Sequence, residues 1–386
     1  MLKNYLNLIA LFILISTVSV EAQNKQLNIV TTAVPFLRIS TDARAGGMGD
    51  VGIATTPDAN SIYWNQAKLP FAQSKAAIAA SYTPWLRGLG VKDIYLTSLG
   101  GYYQLDETQA LSASMKYFSL GNVQFTDENG NDLSSYRPNE FSFDAGYSRK
   151  LSSKLGLGIA VRYIHSKLAS GNYNGQSYKP GSSVAADLSL FHDGTGGNPE
   201  ASGLNWGIAI TNLGSKISYT NDASRKDFIP ANLGLGIAYI KSFNENTKAT
   251  FGLDINKLLV PTPPQLSGNS TTADSIAINK YRNKSVLSSW FSSFGDAPGG
   301  SSEEFRELQI SAGAEVIFQS QFALRTGYFY ESPTKGNRKF FTVGGGLLLS
   351  AFNVNFSYLF PTGSGAQSSP LESTFRTSII FNLNKQ

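Results

Sequence analysis

From residue 74 onward, apolar residues alternate with small or polar ones at a period of two, segment after segment. In one of these segments Leu155, Leu157, Ile159, Val161 and Tyr163 are the apolar positions, and Gly156, Gly158, Ala160 and Arg162 lie between them. Successive side chains of a strand point to opposite faces, so this pattern predicts strands with one greasy face and one small or polar face. Phe141, Phe143, Ala145 and Tyr147 against Ser142, Asp144, Gly146 and Ser148 repeat it. So do Phe352, Val354, Phe356, Tyr358 and Phe360 against Asn353, Asn355 and Ser357, and Leu308, Ile310, Val316 and Phe318 against Gln309, Ser311 and Glu315. Fourteen such segments are found, at 74–83, 91–105, 108–119, 138–151, 154–168, 178–191, 203–213, 230–242, 246–257, 305–319, 321–330, 338–350, 352–360 and 374–384. An even number suits a closed antiparallel sheet.

The connections alternate in length. After even-numbered segments they are short, as at Asp106-Glu107, Ser152-Ser153, Ser320 and Ala351, with only 192–202 exceeding a tight turn. After odd-numbered segments they are long, at 120–137, 169–177, 214–229, 258–304 and 361–373. Outer-membrane barrels have short periplasmic turns and long outer loops, so the long loops are expected outside and both ends of the barrel in the periplasm. Lys116, Asp144, Arg162, Asp187, Asp254, Glu315, Arg325 and Arg376 all fall on the small or polar phase. A dry core would hold so many charges at high cost, whereas a hydrated or plugged lumen holds them, with lipid against the other face. They are expected to pair with one another or with a plug. Tyr82, Tyr117, Tyr147, Tyr239, Tyr328 and Tyr358, near segment ends, fit interfacial girdles. The predicted fold is therefore all-β, a fourteen-stranded antiparallel transmembrane β-barrel over residues 73–386.

Composition narrows the chemistry. Lys3, an apolar run from Leu6 to Val20 and the small Ala22 before Gln23 have the order of a signal peptide over residues 1–22. That run is about 15 residues, short of the roughly 20 that span a bilayer as a helix. No later stretch approaches 18 consecutive apolar residues, so a membrane position requires a closed barrel. Charged residues make up only 15% of the chain, which argues against disorder, and no cysteine is present, which removes thiolate chemistry and disulfides. The net charge of +5 is spread without a basic block, so nucleic acid is not an expected partner. With two histidines, His165 at a strand end and His192 in a turn, zinc chemistry is nearly excluded, and no G-x-S-x-G elbow occurs. No catalytic residue, metal or cofactor is assigned, and a non-enzymatic role is expected.

Residues 23–72 precede the alternating region, and 41–69 do not read as a strand. Gly47, Gly49 and Gly52 satisfy G-x-G-x-x-G, but no strand-helix-strand alternation surrounds them, so close-packed backbone turns are expected rather than a dinucleotide site. This region resembles the hatch of the FadL-like outer-membrane transporters, in which a glycine-rich segment and an Asn-Pro-Ala sequence precede a fourteen-stranded barrel and plug its lumen. Within that superfamily, Ala43-Arg44-Ala45-Gly46-Gly47-Met48-Gly49-Asp50, Pro57-Asp58-Ala59-Asn60 and Tyr63-Trp64-Asn65 are most similar to the PorV family of type IX secretion outer-membrane proteins. Asp254 to Pro264 is similar as well. Gln66, before Ala67, stands where the hatch pattern usually has proline. The resemblance implies a carrier, not a pore. It would dock on the type IX translocon barrel, bind the C-terminal domain of folded cargo, and deliver it to a surface attachment complex containing a cysteine-protease-like sortase, in contact with outer-membrane lipid.

The loop at 258–304 opens with Pro261, Pro263 and Pro264, continues through a polar stretch, and then carries Val286, Leu287, Trp290, Phe291 and Phe294 at helical spacing before a Gly-rich stop. A loop this long is usually functional. Two expectations stand side by side: the helix folds back as a lid, or Trp290, Phe291, Phe294 and the prolines meet a partner. Two other functions compete with the carrier. One is a FadL-type channel for fatty acids or other hydrophobic small molecules; the other is a water-soluble β-protein such as a lectin.

Overall fold

The structure, a computed structural model, describes residues 27–87, 90–126, 129–173, 176–198, 200–222, 226–266, 272–362 and 374–385. The expected signal peptide lies outside the described residues. Among the described residues eighteen strands follow one another: β1 Ser74–Pro84, β2 Ile94–Gln104, β3 Gln109–Leu120, β4 Val123–Thr126, β5 Asp132–Tyr136, β6 Asn139–Lys150, β7 Leu155–Lys167, β8 Gly171–Tyr173, β9 Gln176–Tyr178, β10 Gly181–His192, β11 Gly203–Gly214, β12 Asn232–Asn244, β13 Thr247–Leu258, β14 Gln309–Phe318, β15 Phe322–Tyr330, β16 Lys339–Leu348, β17 Phe352–Pro361 and β18 Phe375–Lys385. Fourteen of them form one closed antiparallel barrel, each paired with its neighbours in sequence, and β1 pairs with β18 from Ser74 opposite Lys385 to Tyr82 opposite Thr377. Closure leaves the barrel no free edge, so every barrel strand has a hydrogen-bonding neighbour on both sides. The remaining four strands form two small hairpins, β4–β5 and β8–β9, inside two of the long loops. Alternation along the barrel strands did not reveal these hairpins, because strands of three to five residues are too short to show a period.

The pleat sorts side chains as the alternation requires. Ile159, Val161, Val184, Phe143, Leu324 and Phe341 stand outward and exposed, whereas Ala160, Arg162, Ser142, Asp144, Glu315 and Arg325 are buried inside. The greasy face therefore clothes the barrel, and the polar face lines its lumen. No described helix is long and apolar enough to cross a membrane, so among the described residues any crossing is made by strands.

The lumen is filled. The chain reaches it at the end carrying the long loops, where the Ala33 amide donates to Phe228 O at 2.9 Å and the Asn28 amide to Thr334 O at 3.2 Å. It then descends through the barrel to the opposite rim, where β1 starts. On the way it makes a 3-10 helix at Pro35–Arg38, the short helix α1 at Ala43–Gly47, and 3-10 helices at Ala59–Tyr63 and Gln66–Phe71. Val34, Phe36 and Leu37 pack on Leu96, Phe118, Ile164 and Ile229 near the long-loop end. Ala59, Ile62 and Leu69 pack on Ala77, Ala79, Tyr102 and Ile380. Two structural corrections follow at element ends. Residues 301–306 form a helix, so the tenth barrel strand begins at Gln309 and not near 305. His192 is the last residue of β10, stacked on Trp206 at a ring separation of 5.4 Å, and not a solvated turn residue.

Candidate functional site: the lumenal hatch and the long-loop face

The hatch is built from local backbone chemistry upward. Asp42 caps α1, its carboxylate accepting from the Ala45 amide at 2.8 Å, and its second oxygen accepts from the Trp64 indole at 2.7 Å. One aspartate thus satisfies a helix N-terminus and ties two turns of the plug together. Asp58 caps the Ala59–Tyr63 turn in a capping box with Ser61. Asn65 caps the next turn through the Ala67 amide and also donates to Leu190 O at 2.8 Å on the wall. Gln66, in the position where proline was expected, accepts from Ser112 Oγ at 3.2 Å, so its polar side chain makes a wall contact that proline could not.

Ion pairs join hatch to wall. Arg44 reaches Asp58 at 2.9 Å within the hatch and Glu315 at 2.8 Å on β14, and Glu315 also accepts from Arg325 at 2.6 Å. Arg376 on β18 pairs with Asp50 at 3.0 Å. Asp254 accepts the Gly52 and Ile53 amides at 2.8 and 3.0 Å. Arg162 pairs with Asp144 and with Asp187, and Lys116 donates to Leu37 O at 3.1 Å. Every charge singled out on the polar phase therefore has a partner in the hatch or on a neighbouring strand. The glycines serve close approach. Gly49 sits at φ +70°, and a Cβ there would strike the Tyr328 backbone; a Cβ on Gly327 would meet Met48 in turn. Gly46 and Gly47 press in the same way against the Arg376 side chain and Gly344.

At the long-loop end, the described residues between 258 and 307 include three helices, α2 Thr272–Asn283, α3 Val286–Ser292 and α4 Ser301–Arg306. The predicted aromatic helix is α3, capped by Ser285. Helices α2 and α4 were not expected, since their polar sequences carry little apolar period. A buried ionic network fixes the loop. Lys257 reaches Glu304 at 2.9 Å and Glu307 at 2.7 Å; Lys335 reaches Glu303 at 2.6 Å and Glu307 at 2.9 Å; Asn28 donates to Glu303 at 3.0 Å. Lys216 donates to the carbonyls of Arg282 and Lys284, each at 2.7 Å, at the negative end of α2. Burial pulls Lys216 below its ordinary value. Burial would raise Glu303, but the Lys335 ammonium and the Gly299 and Asn28 donors outweigh it and hold the carboxyl below its ordinary value.

Helix α3 is turned inside out. Ser289 and Ser293 are buried against the protein, while Leu287 is 65% exposed, Phe291 79% and Phe294 53%, and Phe305 beyond them is 73% exposed. Trp290 is half-buried. Of the proline cluster, Pro261 is buried, and Pro263 and Pro264 are half-buried. Sequence reasoning missed Asp42, whose cap could have been read from an aspartate just before Ala43. It also missed the ionic network, whose members lie between Asn28 and Lys335 and show no local signal.

A closed barrel with a lipid-compatible exterior and an ion-paired plug is an outer-membrane β-barrel of the FadL-like kind. Its fold is shared by solved structures. The Ralstonia pickettii toluene transporter TbuX is 12% identical, covering 89% of this chain and 98% of that one at a TM-score of 0.52. The CymD monoaromatic hydrocarbon channel is 13% identical, with coverages of 89% and 98% and a TM-score of 0.51. The Pseudomonas putida toluene transporter TodX is 13% identical, with coverages of 92% and 98% and a TM-score of 0.50. No curated protein matches the chain significantly. The family model of the type IX secretion system protein PorV matches residues 21–265, and the chain belongs to the PorV family.

Proposed function

We propose that this PorV-family barrel is a non-enzymatic carrier of type IX secretion. In this reading it takes cargo from the translocon barrel, binds the cargo's C-terminal domain at the long-loop face, and delivers it to the surface attachment complex. The long loops then face outside and the short turns face the periplasm, as the loop asymmetry suggests. The observation that carries the reading is the outward apolar surface of α3 and the turn that follows it, Leu287, Phe291 and Phe294, held on a loop whose polar side is bolted down by buried ion pairs. A helix that buried its apolar face would serve as a lid; this one displays it, as a binding surface does. The channel reading draws on the barrel shared with hydrocarbon transporters, but the lumen here is plugged and lined by charge, which suits an apolar solute poorly.

The test is alanine at Leu287, Phe291 and Phe294 together. Binding of a purified cargo C-terminal domain is expected to fall about tenfold or more, as for loss of a hot-spot cluster, with the heat-modifiable gel mobility of the folded barrel unchanged. Unchanged cargo affinity would reject the site.

A further inference from the structure

A polar cavity of about 90 Å³ lies in the lumen between the descending N-terminal segment and the wall, bordered by Arg38, Ser40, Thr41, Lys116, Asn232 and Arg338 among others. Most charges on its border are already engaged. Arg162 faces Asp144 and Asp187, Arg338 holds Glu331 at 2.8 Å, and Asp50 holds Arg376. Two cations are not matched in this way. Lys116 is buried, with its three donors facing one carbonyl, Leu37 O, and the Tyr63 ring 5.2 Å away. Arg38 donates to the neutral Gln309 Oε1 at 2.7 Å, and neither cation has a carboxylate within ion-pair distance among the described residues. Beside them Ser40 and Thr41, 5% and 2% exposed, also line this cavity, and their buried hydroxyls have no hydrogen-bond partner among the described residues. A buried ammonium is costly unless an anion or several acceptors meet it.

We propose that this cavity binds a small oxyanion, the carboxylate or phosphate class, held by Lys116 and Arg38 and by the hydroxyls of Ser40 and Thr41. Charge-assisted hydrogen bonds from a guanidinium and an ammonium are the usual means of holding such groups. The size fits: a water needs about 10–15 Å³ of such space, so a group of a few heavy atoms enters. Because Arg38, Ser40 and Thr41 belong to the plug and Lys116 to β3, the bound anion pins the plug to the wall.

The experiment is calorimetric titration of the folded protein in detergent with inorganic phosphate, acetate or octanoate, at constant ionic strength set by chloride. Saturable binding of phosphate or acetate is expected, weakened about tenfold in Lys116→Met and in Thr41→Val. Thr41→Val removes a hydroxyl that bonds nothing in the fold, so it remains decisive even where Lys116→Met fails to fold. Absence of saturable binding to the unmodified protein, equal affinity in Thr41→Val, or binding of octanoate alone would overturn the proposal.

Discussion

Glu315 is 1% exposed and lies between the guanidinium groups of Arg44 and Arg325, one from the hatch and one from the wall. Removing its charge leaves two buried cations, one of them with Asp58 as its remaining carboxylate partner and the other with none among the described residues. Glu315→Gln is therefore expected to destabilise the folded barrel by roughly 3 kcal/mol, the scale for breaking a buried ion pair from one side. Urea unfolding followed by tryptophan fluorescence measures it; a change within about 0.5 kcal/mol, typical of a surface site, would show that the plug is not held there. The motif residues Ala43, Gly46, Gly47, Met48 and Ala59 act differently. They are small or closely packed because the plug lies tight against the wall: a Cβ on Gly46 would meet the Arg376 side chain and one on Gly47 the Gly344 backbone, while Ala43, Met48 and Ala59 are buried.

At the scale of elements, the long loop owes its position to carboxylates facing Lys257 and Lys335. The Glu303 carboxyl is held below its ordinary value of 4.5, so its unfolded form takes up a proton first as pH falls. The resulting stabilisation is present in full above that ordinary value and is lost as pH drops through the depressed one. Limited proteolysis of the intact barrel should therefore leave residues 272–306 protected at neutral pH and cut them faster below pH of about 4. Equal cleavage across that range would mean that helix packing, not the ion pairs, anchors the loop. Neither α2 nor the network was legible in the sequence, because a salt bridge between residue 257 and residue 307 has no spacing to read. Helix α3 was legible, since its apolar residues repeat at helical intervals, but the side on which it would lie was not.

For the whole molecule, closure is the condition of stability, and β18 supplies it by pairing with β1 and β17. A chain ended before Phe375 exposes two strand edges where lipid offers no hydrogen bonds. It is expected to lose the heat-modifiable folded band entirely, and a truncated chain that keeps this band would contradict a barrel closed through β18. The period of two, the count of fourteen strands and the alternation of loop length were all readable in sequence, because each follows from local rules: side-chain direction along a strand and the shortness of a turn. Which face meets lipid was also readable, since eight ionisable residues share one phase. The hatch motif was readable as a resemblance and as turn chemistry in Gly49, Asp58 and Asn65. Tertiary structure alone decided that the chain enters the lumen from the long-loop end, that Arg44 meets Glu315 271 positions away, and that α3 shows its apolar face to solvent. Those outcomes depend on which distant groups must neutralise one another in a closed space, and no local pattern encodes that.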